Sequence, residues 1–99
     1  MLERNYQAKV IKKIYSMFPD HTIVLKNDPS YLQGFPDLLI LHEDRWAALE
    51  TKKSEQAGHR PNQDYYVDLL DKMSYSAFIF PENEEEVFRE IQRALQPGG

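Results

Sequence analysis

Tyr6, Val10, Ile14 and Met17 recur at the three- and four-residue spacing of one helix face, which predicts a helix from Glu3 to Phe18, ended by Pro19 and Asp20. The period then shortens. "HTIVLK" (21–26) is β-branched and predicts a strand, and "NDPSYLQG" (27–34) is dense in turn residues and predicts a loop. "PDLLIL" (36–41) and "RWAALETK" (45–52) are two more strands joined by the polar tip "HED". Their apolar residues fall on both faces, so this hairpin is expected to be covered on both sides. "SEQAGHRPN" (54–62) predicts a flexible loop, and Gln63 to Met73 a helix opened by Pro61 or Asn62. "SAFIF" (76–80) predicts a short buried strand, and Glu84 to Leu95 a final helix, with Asn83 and Glu86 spaced for a reciprocal cap. The order α-β-β-β-α-β-α defines an α/β class. It implies a mixed four-stranded sheet flanked by helices, with a right-handed crossover through the helix from Gln63.

The hairpin pattern fixes a register with chemical content. A short turn centred on Glu43 and Asp44 sets Leu41 opposite Trp46 and Asp37 opposite Glu50. Directly opposed residues lie roughly 5 Å apart at Cβ, where two like charges destabilise the sheet unless a cation sits between them. Lys52 follows Glu50 by two residues and projects from the same face. Two carboxylates and an ammonium are thereby gathered at one end of the hairpin. Such a pair can hold a hard divalent cation such as Mg2+. The ion would lower the pKa of a bound water and neutralise charge on a phosphoryl oxygen. Metal-assisted phosphodiester hydrolysis is the reading that uses all three groups, although carboxylate-metal pairs also serve carbonyl and sugar chemistry. The alternative for the same residues is a structural ion pair at the sheet edge.

Composition narrows the setting. The 99 residues fit one domain, 1–99, with ordinary globular content. There are no cysteines, which removes disulfides and thiolate metal sites. No apolar run approaches the roughly 18 residues of a membrane span, so no membrane association is expected. The net charge of −4 argues against a generally nucleic-acid-attracting surface. That charge is local, however: the glutamates between Glu82 and Glu90 account for it, and the rest of the chain balances. Lys9, Lys12, Lys13, Lys52, Lys53 and Arg60 remain available for a basic surface. His21, His42 and His59 lack ligand spacing and read as loop or strand-end surface, and the glutamate run as a solvated helix start.

Pro36 and Asp37, then Glu50-Thr51-Lys52 after twelve intervening residues, on a hairpin preceded by a helix bearing Glu3, resemble the PD-(D/E)XK nuclease superfamily. Within it the chain is most similar to the small stand-alone VRR-NUC domains of phages and bacteria, a likeness that "GFPD" and "NQDYY" support and that covers nearly the whole chain. The resemblance implies a restriction-endonuclease-like αβββαβ core with Asp37 and Glu50 as ligands of Mg2+ or Mn2+. The Thr51 carbonyl would be a further ligand, and Glu3 an outlying acid that binds metal through water; the alternative for Glu3 is a first-turn acid favoured by the helix dipole. Lys52 would be the catalytic lysine, Gln63 would sit at the lip of the site, and Tyr66 would be its helix companion. The Thr51 side chain is expected to face away. DNA, cut as a branched or four-way-junction substrate, is the implied partner, with Lys9, Lys12, Lys13, Lys53, Arg60 and Tyr66 as contacts. A homodimer is expected, with Tyr31, Leu32, Phe35, Tyr65 and Tyr75 as apolar material for its interface or for the core. The implied setting is the cytoplasm of a bacterial or phage-infected cell, with replication or recombination proteins as further partners. Two other readings remain: a nuclease on duplex or single-stranded ends within a replication or packaging machine, and a nucleic-acid-binding module with a silent site.

Overall fold

The computed structural model describes Leu2 to Gly98. Its elements are α1 (Glu3–Met17), β1 (Thr22–Lys26), β2 (Leu38–His42), β3 (Arg45–Thr51), α2 (Pro61–Met73), β4 (Tyr75–Ile79) and α3 (Glu84–Leu95). The sheet order is β1-β2-β3-β4, antiparallel until β4 lies parallel to β3. This is a mixed α/β sheet with three helices, as the alternation of periods predicts. The hairpin register is also the expected one, pairing Leu41 with Trp46 and Leu38 with Leu49.

The core lies on one face of the sheet, called here the inner face. Tyr6, Val10, Ile14 and Phe18 from the α1 segment and Val87, Ile91 and Leu95 from α3 close over Leu38, Ile40, Ala47, Leu49 and Ile79. Burying such side chains contributes about 1.5–3 kcal/mol each, which is what holds both helices on the sheet. The outer face is covered less completely. α2 packs against β4 and β3, with Leu70 buried there. Over β1 and β2 the same face has no helix among the described residues: Ile23 and Leu25 are exposed, and Leu39 and Leu41 are only partly buried. The expectation of a hairpin covered on both sides therefore fails for its β2 half, because one crossover helix spans only two of four strands.

Three local expectations need correction. Asn83 does precede α3, but its amide turns back to accept from the Phe80 N–H at 2.9 Å and donate to the Phe78 carbonyl at 3.0 Å, leaving no side-chain cap. His42 is not surface; it is 4% exposed, because its strand position points inward beneath Phe18, and its Nδ1 lies 2.8 Å from the Thr22 hydroxyl. The glutamate run is not wholly solvated either. Glu84 accepts from the Tyr6 hydroxyl at 2.8 Å and Glu90 from the Tyr75 hydroxyl at 2.6 Å, ties that fasten α3 to α1 and β4. Burial and these acidic partners raise both tyrosine pKa values well above the ordinary range. Among the described residues no helix is long and apolar enough to cross a membrane.

Candidate active site

Asp37 leads directly into β2, and Glu50 lies on β3 one step beyond the Leu38–Leu49 pair, so the antiparallel ladder carries the two acids to the same end of the sheet. The contact is direct. The Asp37 backbone N–H donates to Glu50 Oε1 at 3.1 Å. Lys52 follows on the same face, with Nζ 3.8 Å from Glu50 Oε2, and both side chains are buried. The expected cluster of two carboxylates and one ammonium is therefore assembled, with Asp37 and Glu50 lining a cavity of about 310 Å3 together with Gln63, Arg60 and Gln7, and Lys52 buried behind Glu50 and Gln63.

Each member is held from several elements. Asp37 Oδ1 accepts from the Thr51 N–H at 2.9 Å, and Oδ2 accepts from the Thr51 hydroxyl and from Gln7 Nε2, the latter at 2.8 Å. The Thr51 side chain thus faces Asp37 rather than away from it, because Asp37 lies just before the regular part of β2 and its carboxylate reaches across to β3. Gln63, third residue of α2, bridges the rest. Its Nε2 donates to Glu50 Oε2 at 3.2 Å, while its Oε1 accepts from Lys52 Nζ at 3.0 Å and from the Arg60 N–H at 3.1 Å. Lys52 Nζ also donates to the Gly58 carbonyl at 3.1 Å. The loop before α2 is consequently tied to the lysine.

Electrostatics reinforce this grouping. Burial, then the neighbouring Asp37 charge, pushes the Glu50 pKa up to about 7, against the opposing pull of Lys52. Glu3 adds to that rise, so its carboxylate acts on the site from the first turn of α1 without lining the cavity. Burial also raises the Asp37 pKa, partly offset by its bonds from Thr51 and Gln7. Two carboxylates that resist ionising together fit a site where a cation relieves the repulsion. No group of three or more His, Cys, Asp or Glu side chains forms a metal cluster among the described residues, and the carboxylates that line the cavity are those of Asp37 and Glu50.

The other candidates divide. Arg60 lines the cavity, and Lys53 is exposed immediately after Lys52. Tyr66 packs edge-on to Phe35 at 5.6 Å, which joins α2 to the loop before β2. Lys9 and Lys13 lie elsewhere, lining a groove between α1 and α3 with Glu84, Glu85 and Phe88, and Lys12 is exposed on α1. Sequence reasoning missed Gln7. Its signal was present: it lies one helical turn after Glu3, on the same side of α1. Gly34 explains part of "GFPD", since it takes φ 88° and a Cβ there would meet Asn62 Cγ at 2.5 Å. That backbone must approach the start of α2 closely.

No family model, curated protein or solved structure matches the chain.

Proposed function

We propose that this protein is a divalent-metal-dependent DNA endonuclease with a restriction-endonuclease-like core, of the PD-(D/E)XK type and similar to stand-alone VRR-NUC domains. One observation carries the reading: Asp37 and Glu50 meet at one end of the β2–β3 hairpin with Lys52 on the same face, and all three are held by hydrogen bonds from α1, β3 and α2. An acid in excess over a single lysine, both buried, is poorly explained as a structural ion pair, because an uncompensated buried charge is strongly destabilising. It is well explained as a site for Mg2+ or Mn2+, whose bound form would supply an activated water and neutralise phosphate charge.

The chain's own groups then take distinct parts. Asp37, Glu50 and the Thr51 carbonyl provide oxygen ligands, and Glu3 biases the site electrostatically. Lys52, steered by Gln63 and the Gly58 carbonyl, places a positive charge where the attacked phosphate gains negative charge, which favours the pentacovalent arrangement over the ground state. Arg60 and Lys53 supply phosphate contacts beside the cavity. The substrate is branched DNA, a preference that rests on family analogy, and two copies acting together make the paired cuts that a junction requires.

The test is incubation with linear, flapped and four-way-junction DNAs, with and without Mg2+ or Mn2+. Metal-dependent cutting of the branched substrates is expected. Cleavage only of linear ends would instead support a processing nuclease, and binding without cleavage a silent module.

A further inference from the structure

Gly58, His59 and Arg60 are consecutive, and the backbone on either side of the histidine holds the site. The Gly58 carbonyl accepts from Lys52 Nζ at 3.1 Å. The Arg60 N–H donates at 3.1 Å to Gln63 Oε1, which is the other oxygen that Lys52 Nζ bonds, at 3.0 Å. Glu50 Oε2 lies farther from the ammonium, at 3.8 Å. The direction of Lys52 is therefore set by this tripeptide and Gln63 more closely than by its ion pair. The tripeptide is itself lightly fixed. Gly58 has open space where a Cβ would stand, and residues 54–57 before it close a local turn from the Ala57 N–H to the Ser54 carbonyl. One bond leads outward from that stretch, from the Glu55 N–H to Glu82 Oε1 at 3.2 Å.

The His59 ring supplies the missing anchor. It lies face to face on Phe78, with centroids 3.8 Å apart and planes 12° from parallel, and its Nδ1 is 3.1 Å from Asp64 Oδ1. An ionised carboxylate can only accept, so Nδ1 carries the proton of that bond. Phe78 stands opposite Glu50 in the parallel β3–β4 ladder, on the outer face, because its neighbours Ala77 and Ile79 face the core. Asp64 follows Gln63 in the first turn of α2. The imidazole thus fastens the tripeptide to β4 on one side and to α2 on the other, beside the strand that carries Glu50 and Lys52. It does not line the cavity, so any influence on the site passes through its neighbours.

We propose that His59 is a positioning residue for Lys52: clamped between Phe78 and Asp64, it holds the Gly58 carbonyl against the ammonium and so sets where that charge stands. Phenylalanine at this position would keep the stack and lose the donor, and asparagine would keep the donor and lose the stack. The competing reading is a loop contact that steadies the fold alone, and it predicts no change at Lys52. The effect on cleavage rests on the nuclease reading above. The effect on Lys52 itself does not, and it is measured without DNA or metal.

Competitive acetylation of the metal-free protein, read by peptide mapping, compares Lys52 with the exposed Lys12 and Lys53. Lys52 should be protected in the wild type. His59→Ala and Asp64→Ala should each expose it to the reagent, with Lys12 and the circular dichroism unchanged. The Asp64 side chain is 59% exposed, so that variant keeps the fold whatever becomes of the other. Asp64→Asn, which retains an oxygen to accept from Nδ1, should restore most of the protection. In single-turnover cleavage His59→Ala should lower the rate about 10-fold, with DNA affinity changed less than about two-fold, because small misplacements of a group near the reacting atoms are costly. In a Lys52→Ala background the same substitution should lose nothing further, since it acts through that lysine. Unchanged Lys52 protection in both alanine variants would overturn the proposal, as would a full additional loss on top of Lys52→Ala. Altered protection in a chain that cuts no DNA would support the positioning and overturn the nuclease reading instead.

Discussion

Glu50→Gln should stabilise the metal-free protein at pH 8 while removing the charge the proposed chemistry needs. The folded state holds Glu50 at a pKa of about 7, against an ordinary value of 4.5, chiefly through burial and the adjacent Asp37 carboxylate. A raised pKa means that the folded state binds the proton more tightly than the unfolded chain does. Stability from this group is therefore fully present below pH 4.5 and is lost as pH rises through about 7. At about 1.4 kcal/mol per pH unit, ionised Glu50 costs roughly 2–3 kcal/mol at pH 8, after allowance for relaxation around Lys52. Glutamine keeps the shape and cannot ionise, so the variant should gain that amount, or about 10–20 °C in Tm for a domain of this size. At pH 4.5 the gain should shrink to below about 0.5 kcal/mol. Thermal or urea unfolding in EDTA at the two pH values measures it. A gain equal at both, or a loss at pH 8, would refute the account of two buried, mutually repelling carboxylates. Millimolar Mg2+ should in addition raise the Tm of the wild type at pH 8 and leave that of Glu50→Gln nearly unchanged.

Other expectations follow from the same geometry. Lys52→Ala should lower the single-turnover cleavage rate by about 100-fold or more, with DNA affinity changed only a few-fold; equal losses in both would make Lys52 a phosphate anchor. Arg60→Ala should reduce the salt dependence of DNA binding by about one phosphate contact. Lys13→Ala, which removes a lysine sharing a groove with Glu85, should leave that slope unchanged, and the reverse pattern would move the DNA path onto the α1–α3 side. Gly34→Ala should cost about 1–3 kcal/mol of stability, from its φ of 88° and its crowding against Asn62, and a neutral result in urea titration would contradict the close approach.

Much of this architecture was legible in the sequence because it depends on periods. The α1, α3 and hairpin spans follow from apolar spacing, and the two-residue turn at Glu43 and Asp44 fixes a register in which Asp37 and Glu50 must converge. What escaped reading depends on directions that spacing does not encode. His42 looks like a strand-end histidine until Phe18 is seen to lie over it. Asn83 has a capping residue's identity, yet its amide is taken by the Phe78–Phe80 backbone. Gln7 and the Thr51 hydroxyl reach Asp37 only because that residue precedes the regular ladder, where side-chain alternation no longer dictates direction. The uncovered β1–β2 face was hidden for a different reason. A both-sided apolar pattern reports burial without saying whether the same chain supplies the cover.

Asp37, Glu50 and Lys52 are proposed to form a metal-dependent phosphodiester-hydrolysing centre. Its most direct test is cleavage of a four-way-junction DNA by the wild type and by Asp37→Asn, side by side in Mg2+, with binding measured on the same DNA. Metal-dependent cutting by the wild type is expected, with Asp37→Asn inactive yet binding the junction at least as tightly, because a negative charge has left the site. Undiminished Mg2+-dependent cleavage by purified Asp37→Asn would contradict it.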